Sequence, residues 1–282
     1  VKAVDSRGRG VAKCRLVIAR NGRVVREALT NSRGIARINL SPGTYTFSFS
    51  KTGFTTTSIT REVTSSTSLK ATLHRIKAEL TGWSVRRCIY VAGDRVGAGA
   101  SLLNSGEAGG DFTIVLEVSC CWEWVEVARE TVGLGPGDAA TVALDWVVRG
   151  LEPGLYDARV RVLGENGEEL ACVSEEYAFV VEKKRFGRVD VRLIRRFLEK
   201  IDENLAKGNY SRAVGDIKTL VRRYELFSRL RDRCKEIKKI DPSDADFVAL
   251  VSDVYFEACA LVERFKECFE ELEEKEEQTG LM

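Results

Sequence analysis

Few residues of this chain are of a type that performs acid–base, nucleophilic or metal chemistry. His74 is the only histidine among the 282 residues, so no histidine-dependent triad and no centre with several histidine ligands can form within it. None of the patterns GxxxxGK[ST], GxGxxG after a strand, HExxH or GxSxG occurs. Paired carboxylates remain available for acid–base chemistry, as on any acidic surface. We therefore predict a protein that is not an enzyme and that binds no metal or cofactor.

Eight cysteines form the second group of reactive residues. No two are spaced as CxxC, and the adjacent Cys120 and Cys121 do not complete a tetrahedral zinc site without other ligands. In an oxidising compartment Cys88 and Cys172 would pair with each other, or either would pair with Cys120 or Cys121. The spacing thus predicts a disulfide that involves Cys88 and Cys172 rather than a zinc site, and it leaves the partners open.

Trp122 and Trp124 are the aromatic pair best suited to binding a ligand. With Glu123 between them they alternate along one predicted strand, so they should share one face of its sheet. An exposed pair of this kind stacks on sugar rings or anchors a protein partner. The commoner use of such a pair is burial in a core. Both interpretations stand at the level of sequence.

The elements that must position these residues begin with a β-region over residues 1–75. Short strands alternate with turns, among them Asn21-Gly22, which favours positive φ at both central positions of a hairpin. The order VxVxDxxGxxV, followed by TxxxGxAxxxLxPGxYxFxFxxxGF, resembles the carboxypeptidase regulatory-like domain, a prealbumin-type β-sandwich. The resemblance covers residues 1–74 and implies an accessory β-domain, not a catalyst.

A second β-region follows over residues 76–182. A Gly-Asp start, an Asn-x-Gly turn, a Pro-Gly-Asp turn, a strand that ends in Trp and a Pro-Gly-x-Tyr strand succeed one another. This succession resembles the cell-adhesion-related, immunoglobulin-like domains of bacterial and archaeal surface proteins over residues 86–181. Both β-regions contain the Pro-Gly-x-Tyr turn, so we expect buried rings at Tyr45 and Tyr156, with the hydroxyl of Tyr156 bonded to backbone.

Residues 183–282 show a helical period and predict a three-helix antiparallel bundle. We expect helices over 189–206, over 210–239 and from Pro242 onwards. The last two are longer than the first, so they would form a long helical hairpin with an uncovered end. Apolar residues at that end would dock on another copy or on the β-regions: Leu230, Cys234, Ile237, Phe247, Val248 and Val251. The predicted fold class is multidomain β plus α, with two consecutive antiparallel β-sandwiches before the bundle.

Charge is segregated along the chain although its formal net charge is only +2. Residues 1–75 hold 14 basic and 3 acidic groups, a net of +11, and residues 76–182 hold 8 and 18, a net of −10. Residues 183–239 hold 19 and 8, a net of +11, and residues 240–282 hold 3 and 13, a net of −10. Alternating blocks favour contact between neighbouring regions or copies over a single basic face for nucleic acid.

These features together predict a non-enzymatic, modular cell-surface or secreted protein. The β-regions would serve as spacers or binding units, and the helical region would mediate self-association or bind a protein partner. A glycan is a further candidate ligand, whereas nucleic acid is not expected. The alternatives are an accessory region of a larger hydrolase and an intracellular scaffold. No run of 18 apolar residues occurs, so a membrane anchor would lie outside these residues. One histidine and 30% charged residues favour a heat-adapted source. The surface-protein hypothesis carries the further expectation of an archaeal one.

Overall fold

The computed structural model describes residues 1–120 and 122–279, without the side chains of 275–279. Within these residues the chain is a mixed β and α protein with several antiparallel sheets and five α-helices. Its buried apolar side chains form three clusters, one in the first β-region, one in the second, and one in the helices. None of the described helices is long and apolar enough to cross a membrane.

Four strands of the first β-region form an antiparallel sheet in the order β3-β2-β4-β5, while β1 pairs in parallel with β6. The hairpin between β2 and β3 turns at Asn21 and Gly22 with φ of 52° and 77°, as the sequence predicts, because both residues tolerate positive φ. The strands are β1 (Lys2–Asp5), β2 (Arg15–Arg20), β3 (Arg23–Leu29), β4 (Gly43–Ser50), β5 (Thr57–Val63) and β6 (Lys70–Leu73).

The second β-region has a three-stranded sheet in the order β13-β10-β7 and a five-stranded sheet in the order β12-β11-β15-β16-β8. Strands β9 and β14 form a small separate pair, and one buried cluster draws side chains from all three sheets. The strands are β7 (Ala78–Val85), β8 (Ile89–Tyr90), β9 (Arg95–Val96), β10 (Ala98–Asn104), β11 (Gly110–Ser119), β12 (Val125–Leu134), β13 (Ala139–Ala143), β14 (Trp146–Val147), β15 (Gly154–Leu163) and β16 (Glu169–Val181).

The two Pro-Gly-x-Tyr turns share one geometry. The rings of Tyr45 and Tyr156 are buried. The hydroxyl of Tyr45 donates to the carbonyl oxygen of Ser41 at 2.8 Å, and that of Tyr156 donates to the carbonyl oxygen of Glu152 at 2.7 Å. Each ring therefore fills its own core while its hydroxyl fastens the preceding turn, and the expectation for Tyr156 is confirmed.

The helical region differs from the predicted three-helix bundle, because two of the three predicted helices are interrupted. Tyr224 has extended backbone angles, φ −127° and ψ 129°, so the second helix ends at Arg223 instead of at the predicted Lys239. The third begins at Ala245, capped by Asp244, rather than at Pro242, and it is interrupted at Phe265. The elements are α1 (Arg188–Ala206), α2 (Tyr210–Arg223), a 3₁₀ turn (Glu225–Phe227), α3 (Leu230–Ile237), α4 (Ala245–Arg264) and α5 (Lys266–Thr279).

The predicted uncovered end of a helical hairpin is wrong. Because the chain breaks at Tyr224, the short α3 packs against α2 and α4 instead of continuing away from α1. Of the side chains predicted to dock on another copy or on the β-regions, five lie in the cluster of the helical region and are no more than 6% exposed: Leu230, Cys234, Ile237, Phe247 and Val251. Val248 is half-buried outside that cluster. That cluster also contains Ile89, Leu155 and Val180, so the helices and the second β-region share apolar contacts.

Candidate functional site

Trp122 and Trp124 lie in the connection between β11 and β12. The prediction that they share one face of a strand is wrong, because the β11–β12 ladder closes at Val118 and Val125 and the residues between them turn back. Trp122 has φ 75°, in the left-handed region that bulky side chains rarely adopt, and its side chain is 99% exposed. Neither indole belongs to a buried cluster. Cys121, one of the predicted disulfide partners, lies outside the described residues.

Trp124 is held against the five-stranded sheet by Arg159 of β15. The guanidinium carbon of Arg159 lies 4.3 Å from the centroid of the indole, a cation–π contact worth about 0.5–2 kcal/mol. Arg159 also donates to the carboxylate of Glu117, which is buried on β11 and accepts a second bond from Arg161 at 3.1 Å. The orientation of Trp124 is therefore determined by an ion-pair network, whereas Trp122 projects into solvent.

A cleft of about 700 Å³ lies between this loop and the helical region. Trp122, Trp124 and the segment Pro153–Leu155 at the start of β15 form one wall. The other wall is polar and charged and consists of Ser228, Arg229, Arg231, Asp232 and Lys235. Aromatic, hydroxyl, carboxylate and cationic groups thus line one concave surface, with Trp122 exposed at its rim, and such convergent groups can hold a ligand.

The two walls of the cleft are tied together at its base. Arg229 forms an ion pair with Asp157 of β15 at 2.6 Å, and its guanidinium carbon lies 4.8 Å from the centroid of the Tyr177 ring. The backbone N–H of Tyr177 donates to the same carboxylate at 2.9 Å. The backbone N–H of Leu155 donates to the hydroxyl of Ser228 at 3.3 Å. These contacts hold the helical wall in register with the Trp-bearing wall.

A disulfide joins Cys88, next to β8, to Cys268 in α5, with Cα atoms 5.1 Å apart. The predicted Cys88–Cys172 pair is therefore wrong. Ile89 pairs with Val180 of β16, so Cys172 lies seven residues along that strand from the level of Cys88, roughly 20 Å away at the usual rise of a strand. The Cys172 thiol is free and exposed. This disulfide thus cross-links the helical region to the second β-region.

Glu182 connects β16 to the break that follows α2. Its side chain is 6% exposed, and Oε1 accepts hydrogen bonds from the backbone N–H groups of Glu225 at 2.6 Å and Leu226 at 3.4 Å. It thereby satisfies two backbone donors of the 3₁₀ turn that have no partner within the turn. Burial, opposed by these two hydrogen bonds and assisted by the nearby carboxylates of Glu225 and Asp190, raises the pKa of Glu182 to about 7.

Metal-ligating side chains are scattered rather than grouped. Among the side chains that the structure describes, no three of His, Cys, Asp or Glu lie together in an arrangement that could hold a metal ion. His74 is exposed in the first β-region, where its backbone N–H donates to the hydroxyl of Thr55 at 3.2 Å.

The structure brings Trp122 and Trp124, which the sequence analysis singled out, to the edge of one cleft. Three further residues that determine its shape, Asp157, Arg159 and Arg229, were not predicted. Their roles depend on how the helical region packs on β15, and no local pattern in the sequence reports that packing.

No family model and no curated protein matches the chain. Solved structures with partial likeness include the CARDB domain of a Pyrococcus furiosus protein in complex with di-metal ions, which is 15% identical over 38% of this chain and 89% of that one, with a TM-score of 0.28. A DUF3823 family protein from Bacteroides ovatus is 14% identical over 65% of this chain and 97% of that one, also with a TM-score of 0.28.

An alkylpurine DNA glycosylase from Pseudomonas fluorescens, bound to DNA with an abasic site analogue, is 16% identical over 38% of this chain, with a TM-score of 0.29. The chain spans 31% of that glycosylase and 16% of a β-glucosidase from Erythrobacter marinus. Likenesses this low carry no argument about activity or ligand.

Proposed function

We propose that this chain belongs to a non-enzymatic, modular cell-surface or secreted protein that binds a glycan in the cleft between the second β-region and the helical region. In this proposal residues 1–75 form a carboxypeptidase regulatory-like β-sandwich that acts as a spacer. Residues 76–182 form an immunoglobulin-like β-sandwich, and residues 183–282 form a helical domain that completes the cleft. Separate buried clusters in the two β-regions support this division.

The full exposure of Trp122 beside the cleft is the observation that carries the proposal. A ring stacked on one face of an indole covers about half of the roughly 150–250 Å² that the side chain exposes, a gross gain of about 2–3 kcal/mol. A sugar ring has an apolar face that stacks on an indole and a rim of hydroxyls that needs hydrogen-bond partners. The hydroxyl of Ser228, the carboxylate of Asp232 and the guanidinium of Arg231 line the same cleft and can serve those hydroxyls.

A glycan array tests the ligand class. The wild-type chain should retain a defined set of glycans, and Trp122→Ala should lose them because the stacking surface is gone. Trp83→Phe is a matched control, since Trp83 lies on β7 and does not line the cleft. An array without retained glycans, or one on which Trp122→Ala retains the same set, would rule out a glycan as the ligand of this cleft.

The disulfide between Cys88 and Cys268 agrees with a cell-surface or secreted location, where such bonds persist, although intracellular proteins of hyperthermophilic archaea also contain them. Native material should be alkylated under non-reducing conditions and digested for mass spectrometry. The peptides that contain Cys88 and Cys268 should be recovered as one linked species. Recovery of both cysteines as alkylated thiols from freshly isolated native protein would favour the intracellular scaffold instead.

A further inference from the structure

A second concave surface lies between α2 and α3, and the proposed glycan cleft does not require it. We call it the basic groove, and its volume is about 380 Å³. Helix α2 contributes Gly215, Lys218, Val221 and Arg222, and the α3 side contributes Arg231, Cys234, Lys235 and Lys238. Arg231 and Lys235 border both the basic groove and the cleft.

The rim of the basic groove consists of two rows of positive charge. Lys218 and Arg222 are one helical turn apart on α2, and Arg231, Lys235 and Lys238 follow one another at spacings of four and three on the α3 side. None of the eight described residues that line the groove is Asp or Glu. Arg231 and Lys235 each form an ion pair with one carboxylate. Among the side chains that the structure describes, no carboxylate pairs with Lys218, Arg222 or Lys238, so the groove favours an anionic occupant.

The floor of the basic groove is apolar, and little of it is exposed. Val221 and Cys234 are buried there. Gly215 occupies an interior position of α2, where glycine costs about 1 kcal/mol relative to alanine. A Cβ atom built on Gly215 meets no other atom within 4 Å, so no contact inside the chain requires a glycine at this position. Its effect is to leave space above the floor, between the two rows of cations.

We infer that the basic groove binds an acidic, amphipathic helical segment of a protein partner. The apolar side chains of that segment lie above Val221 and Cys234, in the space above Gly215, against the aliphatic stems of the flanking Lys and Arg side chains. Its carboxylates face the cations of both rows. This is the helix-in-groove mode of recognition, and the positive charges of the rim select a partner segment with negative charge. The lining contains no aromatic side chain on which a nucleic acid base could stack, which favours a peptide as the occupant.

Fluorescence anisotropy with a defined probe tests this inference. The probe is a fluorescein-labelled synthetic helical peptide with leucine at every third or fourth position and glutamate elsewhere, and a second peptide replaces each glutamate by lysine. The intact chain should bind the glutamate peptide, more weakly as salt increases, and should not bind the lysine peptide.

Two kinds of variant locate the binding. Lys218→Glu combined with Lys238→Glu should weaken binding by roughly tenfold to a hundredfold, because two attractions become two repulsions. Arg33→Glu combined with Lys70→Glu makes the same change in net charge on exposed residues of the first β-region, and should leave the affinity unchanged. Gly215→Leu should abolish binding by filling the groove, although leucine is the better helix former, so a loss of affinity cannot be ascribed to unfolding.

Each contrary result overturns the inference. The inference is overturned if the wild-type chain does not bind the glutamate peptide. It is also overturned if the wild type and the Lys218→Glu, Lys238→Glu variant bind that peptide with equal affinity. The wild-type chain could instead fail to bind the peptide and self-associate in sedimentation equilibrium. If Gly215→Leu abolishes that self-association, the groove binds a second copy of the chain. Because the glycan cleft is tested with Trp122→Ala, the two proposals fail independently.

Discussion

Replacing Glu182 by glutamine should remove a pH dependence from the stability of the second β-region and the helices. In the unfolded chain a glutamate has a pKa near 4.5, and burial raises that of Glu182 to about 7. The folded state therefore holds the proton more tightly. The stability that this proton provides is fully present below pH 4.5 and is lost as the pH rises through 7, a loss of about 3 kcal/mol.

Urea unfolding followed by tryptophan emission measures this effect selectively. All four tryptophans lie between residues 83 and 146, so the signal reports the second β-region. The amide of Glu182→Gln stays neutral but still accepts the bonds from the 3₁₀ turn, so we expect wild-type stability at pH 4 and about 3 kcal/mol more than wild type at pH 8. Glu62→Gln, an exposed carboxylate on β5, is the control. Parallel pH curves for wild type and Glu182→Gln would refute the reasoning.

Urea unfolding, followed by far-UV circular dichroism of the helices as well as by tryptophan emission, checks three further expectations. Replacing Cys88 and Cys268 by serine should lower the free energy of unfolding by about 2–5 kcal/mol, since the bond closes a loop over a sequence separation of 180, and dithiothreitol should have no further effect on that variant. Leu230→Ala should lower the free energy of unfolding by about 2–5 kcal/mol, because the side chain is fully buried. A change below about 0.5 kcal/mol would show that Leu230 is exposed, as the uncovered hairpin end would require. A double-mutant cycle of Arg229→Ala and Asp157→Ala should give a coupling of about 0.5–3 kcal/mol, and additivity would mean that the base of the cleft is not held by this pair.

Local turn chemistry could be predicted from the sequence, because the residues that determine it are neighbours in the chain. Asn21-Gly22 forms its hairpin turn with both φ values positive. Tyr156 buries its ring and bonds to a carbonyl only four residues earlier. In each case a few adjacent residues supply both the conformation and the hydrogen bonds, so a short pattern contains the necessary information.

The break in the second predicted helix could not be predicted in this way. Ile217, Leu220, Tyr224, Phe227 and Leu230 follow one another at spacings of three and four, so the helical period continues through the break without a proline or glycine. The interruption depends instead on a carboxylate from a distant strand, which accepts two backbone bonds of the 3₁₀ turn. Tertiary contacts here outweigh a local preference that is consistently helical.

The candidate site was predictable by residue type but not by position. Trp122 and Trp124 alternate with other residues just before β12 begins, as side chains of a strand would. The pattern therefore predicts a strand where the structure has a loop. Only the pairing of β11 with β12 determines where the ladder closes. The disulfide partner of Cys88 is likewise set by the packing of α5 on the second β-region, and no spacing of cysteines reports it.

Isothermal titration of one retained glycan into the wild-type chain and into Trp122→Ala tests the binding role of the cleft most directly. We expect saturable binding by the wild type and by the Trp83→Phe control. Binding by Trp122→Ala should be weaker by at least about tenfold, because the exposed indole is the stacking surface. Equal affinities of the wild type and Trp122→Ala would contradict the assignment of this cleft as the glycan site.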